Sequence, residues 1–228
     1  MLASSLRSSL MASVAGRGTR SAWRLSAARI ERVVVIAGCL TALLVTIVGR
    51  WPVSHEPGIL AHEVPTQTPP RSPRLIERED DGYQLTPLAD YSIRARVLGT
   101  ERYRFDSISD LVPLDLALGW SSMSDSAILD RTHVFQTHRH FYYAMPGGMI
   151  SADAAKISAA NTHVIPADDA IRRELFELKT GDVVRLTGQL VEVTGPKGMT
   201  LRSSLRRDDS GDGACELLYV RSVEREPR

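Results

Sequence analysis

Two kinds of hydrophobic pattern divide the chain. Val33–Gly49 reads VVVIAGCLTALLVTIVG, with no charge and no proline. As a helix at 1.5 Å per residue this run reaches about 26 Å, and Ile30 and Trp51 extend it toward the ~30 Å of bilayer hydrocarbon. It therefore predicts a single transmembrane helix over residues 33–50. From Tyr91 the period changes to two. Ile93, Ala95 and Val97 alternate with Ser92, Arg94 and Arg96, the signature of a half-buried strand. Gly99-Thr100 then reads as a turn into a second strand, Glu101–Phe105, making a hairpin.

The pattern further on predicts short elements. Pro113 breaks the apolar stretch Asp106–Trp120, leaving a strand at Asp115–Trp120, and Ser124-Asp125 caps a short helix over Ser126–Asp130. His133–Ala144, rich in aromatic and β-branched residues, reads as one strand. Ser151 caps a helix over Ala152–Ala160. Asn161–Pro166 is extended, because proline disfavours helix in the residue before it. Asp168 caps a helix that sets Ile171, Leu175 and Leu178 on one face and ends at Gly181. Asp182–Thr194 is the strongest strand, with Gly188 as a bulge or bend, and Met199–Leu205 and Cys215–Val223 follow. Together these predict a β-rich α+β fold: beyond the transmembrane helix, a small curved sheet or partly open barrel of the oligomer-binding (OB) type with about two short helices.

Composition refines the layout. Seven of the twelve prolines lie between Trp51 and Pro87, among polar residues too poor in apolar surface to offset their ordering entropy, so residues 51–88 read as a tether. The resulting plan is a basic tail over 1–32, an anchor over 33–50, the tether, and a globular domain over 89–228. Arg24, Arg29 and Arg32 precede the apolar run, whereas Arg50 alone follows it closely, with Glu56 and Glu63. The positive-inside rule then places the N-terminus in the cytoplasm and exports the rest. Other readings of this end are weaker. No small-residue cleavage site follows Gly49, and Ile36-Ala37-Gly38-Cys39 resembles a lipoprotein box but continues into apolar residues. The Arg- and Ser-rich first 29 residues also pass for a transit peptide, and Met11 is a second candidate initiator. A net charge of +1 gives no footprint for nucleic acid. Cys39 lies in the apolar run and Cys215 in the domain, so no disulfide forms within the domain.

Candidate chemistry is sparse. A hydrolase is conceivable from Ser203 or Ser204 with His163 and Asp115, or from Cys215 with His163, but no Gly-x-Ser-x-Gly elbow accompanies them. His133, His138 and His140 lie close together without a metal-binding spacing, and the loop Asp208–Gly213 lacks the register of a calcium loop. No cofactor is expected.

Three segments carry a resemblance: Pro113–Trp120, Asn161–Pro166, and Ser203, Ser204, Arg206 and Asp208 with Ala214-Cys215-Glu216. Together they resemble an uncharacterised family of bacterial single-pass membrane-anchored proteins, over roughly Tyr91–Glu224. The resemblance implies no activity or catalytic residue. Asp115, Trp120, Asn161, His163, Ser204, Arg206, Asp208 and Glu216 are the binding candidates it marks. The combined expectation is a binding or scaffolding module of the cell envelope, anchored in the inner membrane with its domain in the periplasm and an envelope protein as possible partner; the alternative is an envelope hydrolase using Ser204 or Cys215 with His163.

Overall fold

The computed structural model describes residues 29–39, 41, 51–78, 82–209, 211 and 213–227, in two separate units, Met1–Arg50 and Trp51–Arg228. In the first unit the described residues, 29–39 and 41, are helical, α1. Arg29, Glu31 and Arg32 stand among its described residues, ahead of the apolar run. No helix among the described residues is long and apolar enough to cross a membrane. The expectation of a transmembrane helix, and of the single-pass membrane protein built on it, is corrected accordingly. Residues 40 and 42–50 of that run lie outside the described residues.

The second unit is β-rich. Its strands are β1 (Thr66–Thr68), β2 (Ile76–Arg78), β3 (Tyr83–Arg102), β4 (Leu114–Gly119), β5 (His133–Thr137), β6 (His140–Ala144), β7 (Ala159–Pro166), β8 (Val183–Thr194), β9 (Thr200–Arg202) and β10 (Glu216–Arg225). Three short helices interrupt them: α2 (Ser126–Leu129), α3 (Ala152–Lys156) and α4 (Asp169–Glu177). Each starts at a side-chain cap, from Asp125, Ser151 and Asp168, whose oxygens accept backbone N–H groups of the first turn.

Strand pairing runs in a closed circuit. The far half of β3 pairs with β4, β4 with β7, β7 with β10 in parallel, β10 with β8, and β8 returns to the near half of β3. β3 can serve two neighbours because it is 20 residues long and shifts register at Pro87/Ala89 and Val97/Gly99, where the sheet bends. This closed five-stranded barrel, with α4 in the connection from β7 to β8, is compatible with the OB type and is more complete than the partly open sheet that was expected. Alternate residues fill it: Tyr91, Ile93 and Ala95 from β3, Leu114, Leu116 and Leu118 from β4, Val164 from β7, Leu186 and Leu190 from β8, Leu218 and Val220 from β10. Ile171 and Leu175 of α4 join the same core.

Three expectations change. Gly99 is not a turn, and β3 runs through it. A Cβ there would stand 2.6 Å from Gln136 Oε1, so this glycine lets another side chain approach the strand. His133–Ala144 is a hairpin, β5–β6, instead of one strand, because His138 and Arg139 both adopt left-handed backbone, φ 51° and 62°, and form its two-residue tip. The expected tether is largely laid along the barrel: Ala61 is fully buried, Val53 N–H donates to the Thr180 carbonyl at 2.8 Å, β1 pairs with β3, and β3 begins inside the stretch at Tyr83.

Candidate functional site

On β4 the even-numbered leucines face the core, so Asp115 and Ala117 face outward, where the β5–β6 hairpin packs Val134, Phe141 and Tyr143 against the cluster that holds Ala117 and brings Arg139 to Asp115. Asp115 is thereby fully buried. Its charge is met by two cations. Arg139, at the hairpin tip, places Nη1 3.3 Å from Oδ1 while its fork holds Asp106 at 2.9 and 3.0 Å and its guanidinium lies 4.0 Å above the Tyr103 ring. His163, directly across on β7, brings Nδ1 within 2.8 Å of Asp115 Oδ1; the ring N–H points off that line, so the contact is electrostatic more than an aligned hydrogen bond. Burial works against a charge on this imidazole, but Asp115 and then Cys215 outweigh it and raise its pKa to about 9.

Asn161, also outward on β7, links these groups. Its Nδ2 donates to the Arg139 carbonyl at 2.9 Å and reaches Asp115 Oδ2 at 3.4 Å and Cys215 Sγ at 3.7 Å, while Gln136 donates to its Oδ1 at 2.9 Å. The parallel register of β7 with β10 sets Glu216 beside Thr162, which carries Cys215 to the flank of Asn161. Asp115 and His163 thus stand on neighbouring strands of the outer surface, and Cys215 sits just before the next strand, β10.

Inside the barrel, at the same end, lies a second polar group. Glu216 shares the inward face of Leu218, and Thr162 that of Val164. Glu216 Oε2, Thr162 Oγ1, Trp120 Nε1 and the Tyr91 hydroxyl are all buried without a hydrogen-bond partner. Burial is the main reason the Glu216 carboxyl is pushed up to about 8, with Asp209 adding to it and His163 and Arg207 opposing. The Tyr91 phenol is pushed up by burial and by Glu216. A cleft of about 180 Å³ opens here. Trp120, Glu216, Phe141, Tyr143, Lys156, Arg207 and Cys215 are among the residues that line it. A larger cleft of about 330 Å³ lies beside Arg94, but there Arg94 is paired with Glu226 at 2.6 Å and His55 meets the Gly181 carbonyl at 2.7 Å.

Of the residues singled out from the sequence, Asp115, Asn161 and His163 meet in the outer network, and Trp120, Asn161, Arg206 and Glu216 line the cleft. Ser204 lies apart from His163: its hydroxyl bonds Asp209 Oδ2 at 2.6 Å, and Ser203 Oγ donates to the Ser204 carbonyl and accepts from Leu217 N–H. Both serines are thus tied into loop structure. Arg206 and Asp208 form an exposed fork at 2.9 and 3.0 Å, and Asp208 does not reach the cleft. Sequence reasoning missed Arg139, whose position between two histidines of an apparent strand gave no sign of a turn, and the inward pair Tyr91 and Thr162. Among the described residues no cluster of three metal-ligating side chains occurs.

Comparison with known proteins gives no match to a family model, to a curated protein or to a solved structure. The resemblance noted above rests on its three sequence segments alone.

Proposed function

We propose that this chain is a binding module that takes a small, hydroxyl-bearing anionic ligand into the cleft at the barrel's end. One observation carries the reading. Trp120 and Glu216, 1% and 3% exposed, line the cleft and keep an indole N–H and a carboxyl oxygen without partners. A buried polar group with no partner costs about 1–3 kcal/mol, so an occupant that supplies an acceptor to the indole and a hydroxyl to the carboxyl recovers that loss on binding. Phe141 and Tyr143 offer apolar faces to a ring, and Lys156 and Arg207 favour a negative charge at the mouth. Barrels of this class bind through surface grooves, which agrees with a recognition role.

The test is titration with a panel of neutral and acidic saccharides, following indole N–H resonances by NMR. The chain has three tryptophans, so Trp23 and Trp51 serve as internal controls. An acidic sugar should shift the Trp120 signal in a saturable way and leave the others in place. A panel in which no acidic member moves the Trp120 signal more than the controls refutes the reading.

A further inference from the structure

The outer network contains a nucleophile, an imidazole that carries a proton, and a carboxylate that holds that imidazole. Cys215 is part-exposed at the side of the cleft, its thiol interacts with the His163 imidazole, and His163 is held by the fully buried Asp115 at 2.8 Å. Asn161, 3.7 Å from Sγ, fixes the thiol against the same carboxylate, and Arg139 anchors that carboxylate from its other side. Strand pairing holds Asp115 opposite His163, and Cys215 is fixed by the β10 residue that follows it, Glu216, paired with Thr162. The cleft that Cys215 lines also contains the unpartnered Trp120 and Glu216, an independent sign that a ligand enters beside the thiol. The competing serines are engaged elsewhere.

We propose that Cys215, His163 and Asp115 form a thiol-dependent acyl-transfer site that hydrolyses esters or thioesters admitted to the cleft. His163 beside Asp115 already carries its second proton, so Sγ attacks the acyl carbonyl carbon as the thiolate of a thiolate–imidazolium pair. The bond from that carbon to the leaving oxygen or sulfur breaks, and the leaving group takes the proton from His163 as it departs as an alcohol or thiol. Water then attacks the acyl-cysteine and gives a proton to His163, and the S–C bond breaks. The proton stays on His163 and Sγ departs as the thiolate, releasing a carboxylic acid and restoring the resting pair. The net change is hydrolysis, with no oxidant or reductant. Asp115 is a positioning residue that holds the ring and its proton. The proposal shares with the reading above the entry of a ligand into the cleft, but it fails on thiol labelling and that reading on the Trp120 titration, so the two failures are distinguishable.

Two measurements on the full chain test it. Iodoacetamide labelling at neutral pH, read by peptide mass spectrometry, should alkylate Cys215 in the folded protein about 10-fold faster than in the urea-unfolded chain. With p-nitrophenyl acetate as probe, an acetyl adduct should appear on Cys215 and nitrophenol should be released. Cys215→Ser should abolish both, and His163→Gln should slow release by about 100-fold. Asp115→Asn should displace the pH profile of release, which a merely structural role would not do. Labelling no faster than in the unfolded chain overturns the proposal without recourse to any variant, and so does nitrophenol release that survives Cys215→Ser.

Discussion

Glu216 makes the fold's stability depend on pH in a direction opposite to that of a paired carboxylate, and Glu216→Gln isolates the effect. The side chain is 3% exposed and inward-facing beside Thr162, and its pKa rises from 4.5 to about 8 on folding, chiefly through burial. Below pH 4.5 folded and unfolded chains both hold the proton, and the group contributes nothing to the balance. Above it the unfolded chain releases the proton while the folded chain keeps it, so stability falls until the folded carboxyl also ionises near pH 8. At about 1.36 kcal/mol per pH unit, the whole interval amounts to at most about 5 kcal/mol. Glutamine keeps the shape and has no proton to lose. Urea unfolding in half-unit steps from pH 4.5 to 8 should give Glu216→Gln the stability of the wild type at the acid end and an advantage of several kcal/mol at the basic end. Parallel curves for the two proteins across that range would show that the carboxyl ionises as it does in water and would refute the burial argument.

His163, raised from 6.5 to about 9, also stabilises the fold, fully below pH 6.5 and progressively less as pH climbs through 9; an imidazole NMR titration should find its midpoint near 9, falling in Asp115→Asn. Asp115→Ala should destabilise by about 3–5 kcal/mol in urea unfolding, because it strips a buried carboxylate from both Arg139 and His163. Gly188→Ala should cost about 1–3 kcal/mol or more, measured in the same way, since its Cβ would fall 1.9 Å from the Tyr219 carbonyl oxygen across the β8–β10 seam. Replacing Arg206 with alanine should leave the melting temperature almost unchanged, because its fork with Asp208 is fully solvated.

Local chemistry was legible in the sequence. The caps at Asp125, Ser151 and Asp168 are short-range hydrogen bonds between a side chain and the next turn, and the alternation in β3 and β8 reports the two faces of one strand, so neighbouring residues suffice to reveal them. The three segments that hold Asp115, Asn161, His163 and Glu216 could also be picked out, but not their division of labour. That division depends on which face of its strand each residue occupies and on which strand lies beside it. Only barrel closure put Glu216 inside and His163 outside, brought Cys215 to His163 while the loop drew Ser204 to Asp209, and laid residues 51–78 on the surface of the domain. The apolar run at 33–49 predicted a membrane span from hydropathy alone, whereas no helix among the described residues is long and apolar enough to form one. Arg139 depended on tertiary structure most of all: a left-handed backbone at a non-glycine tip has no sequence marker, and the ion pairs to Asp106 and Asp115 that accompany it come from a distant part of the chain.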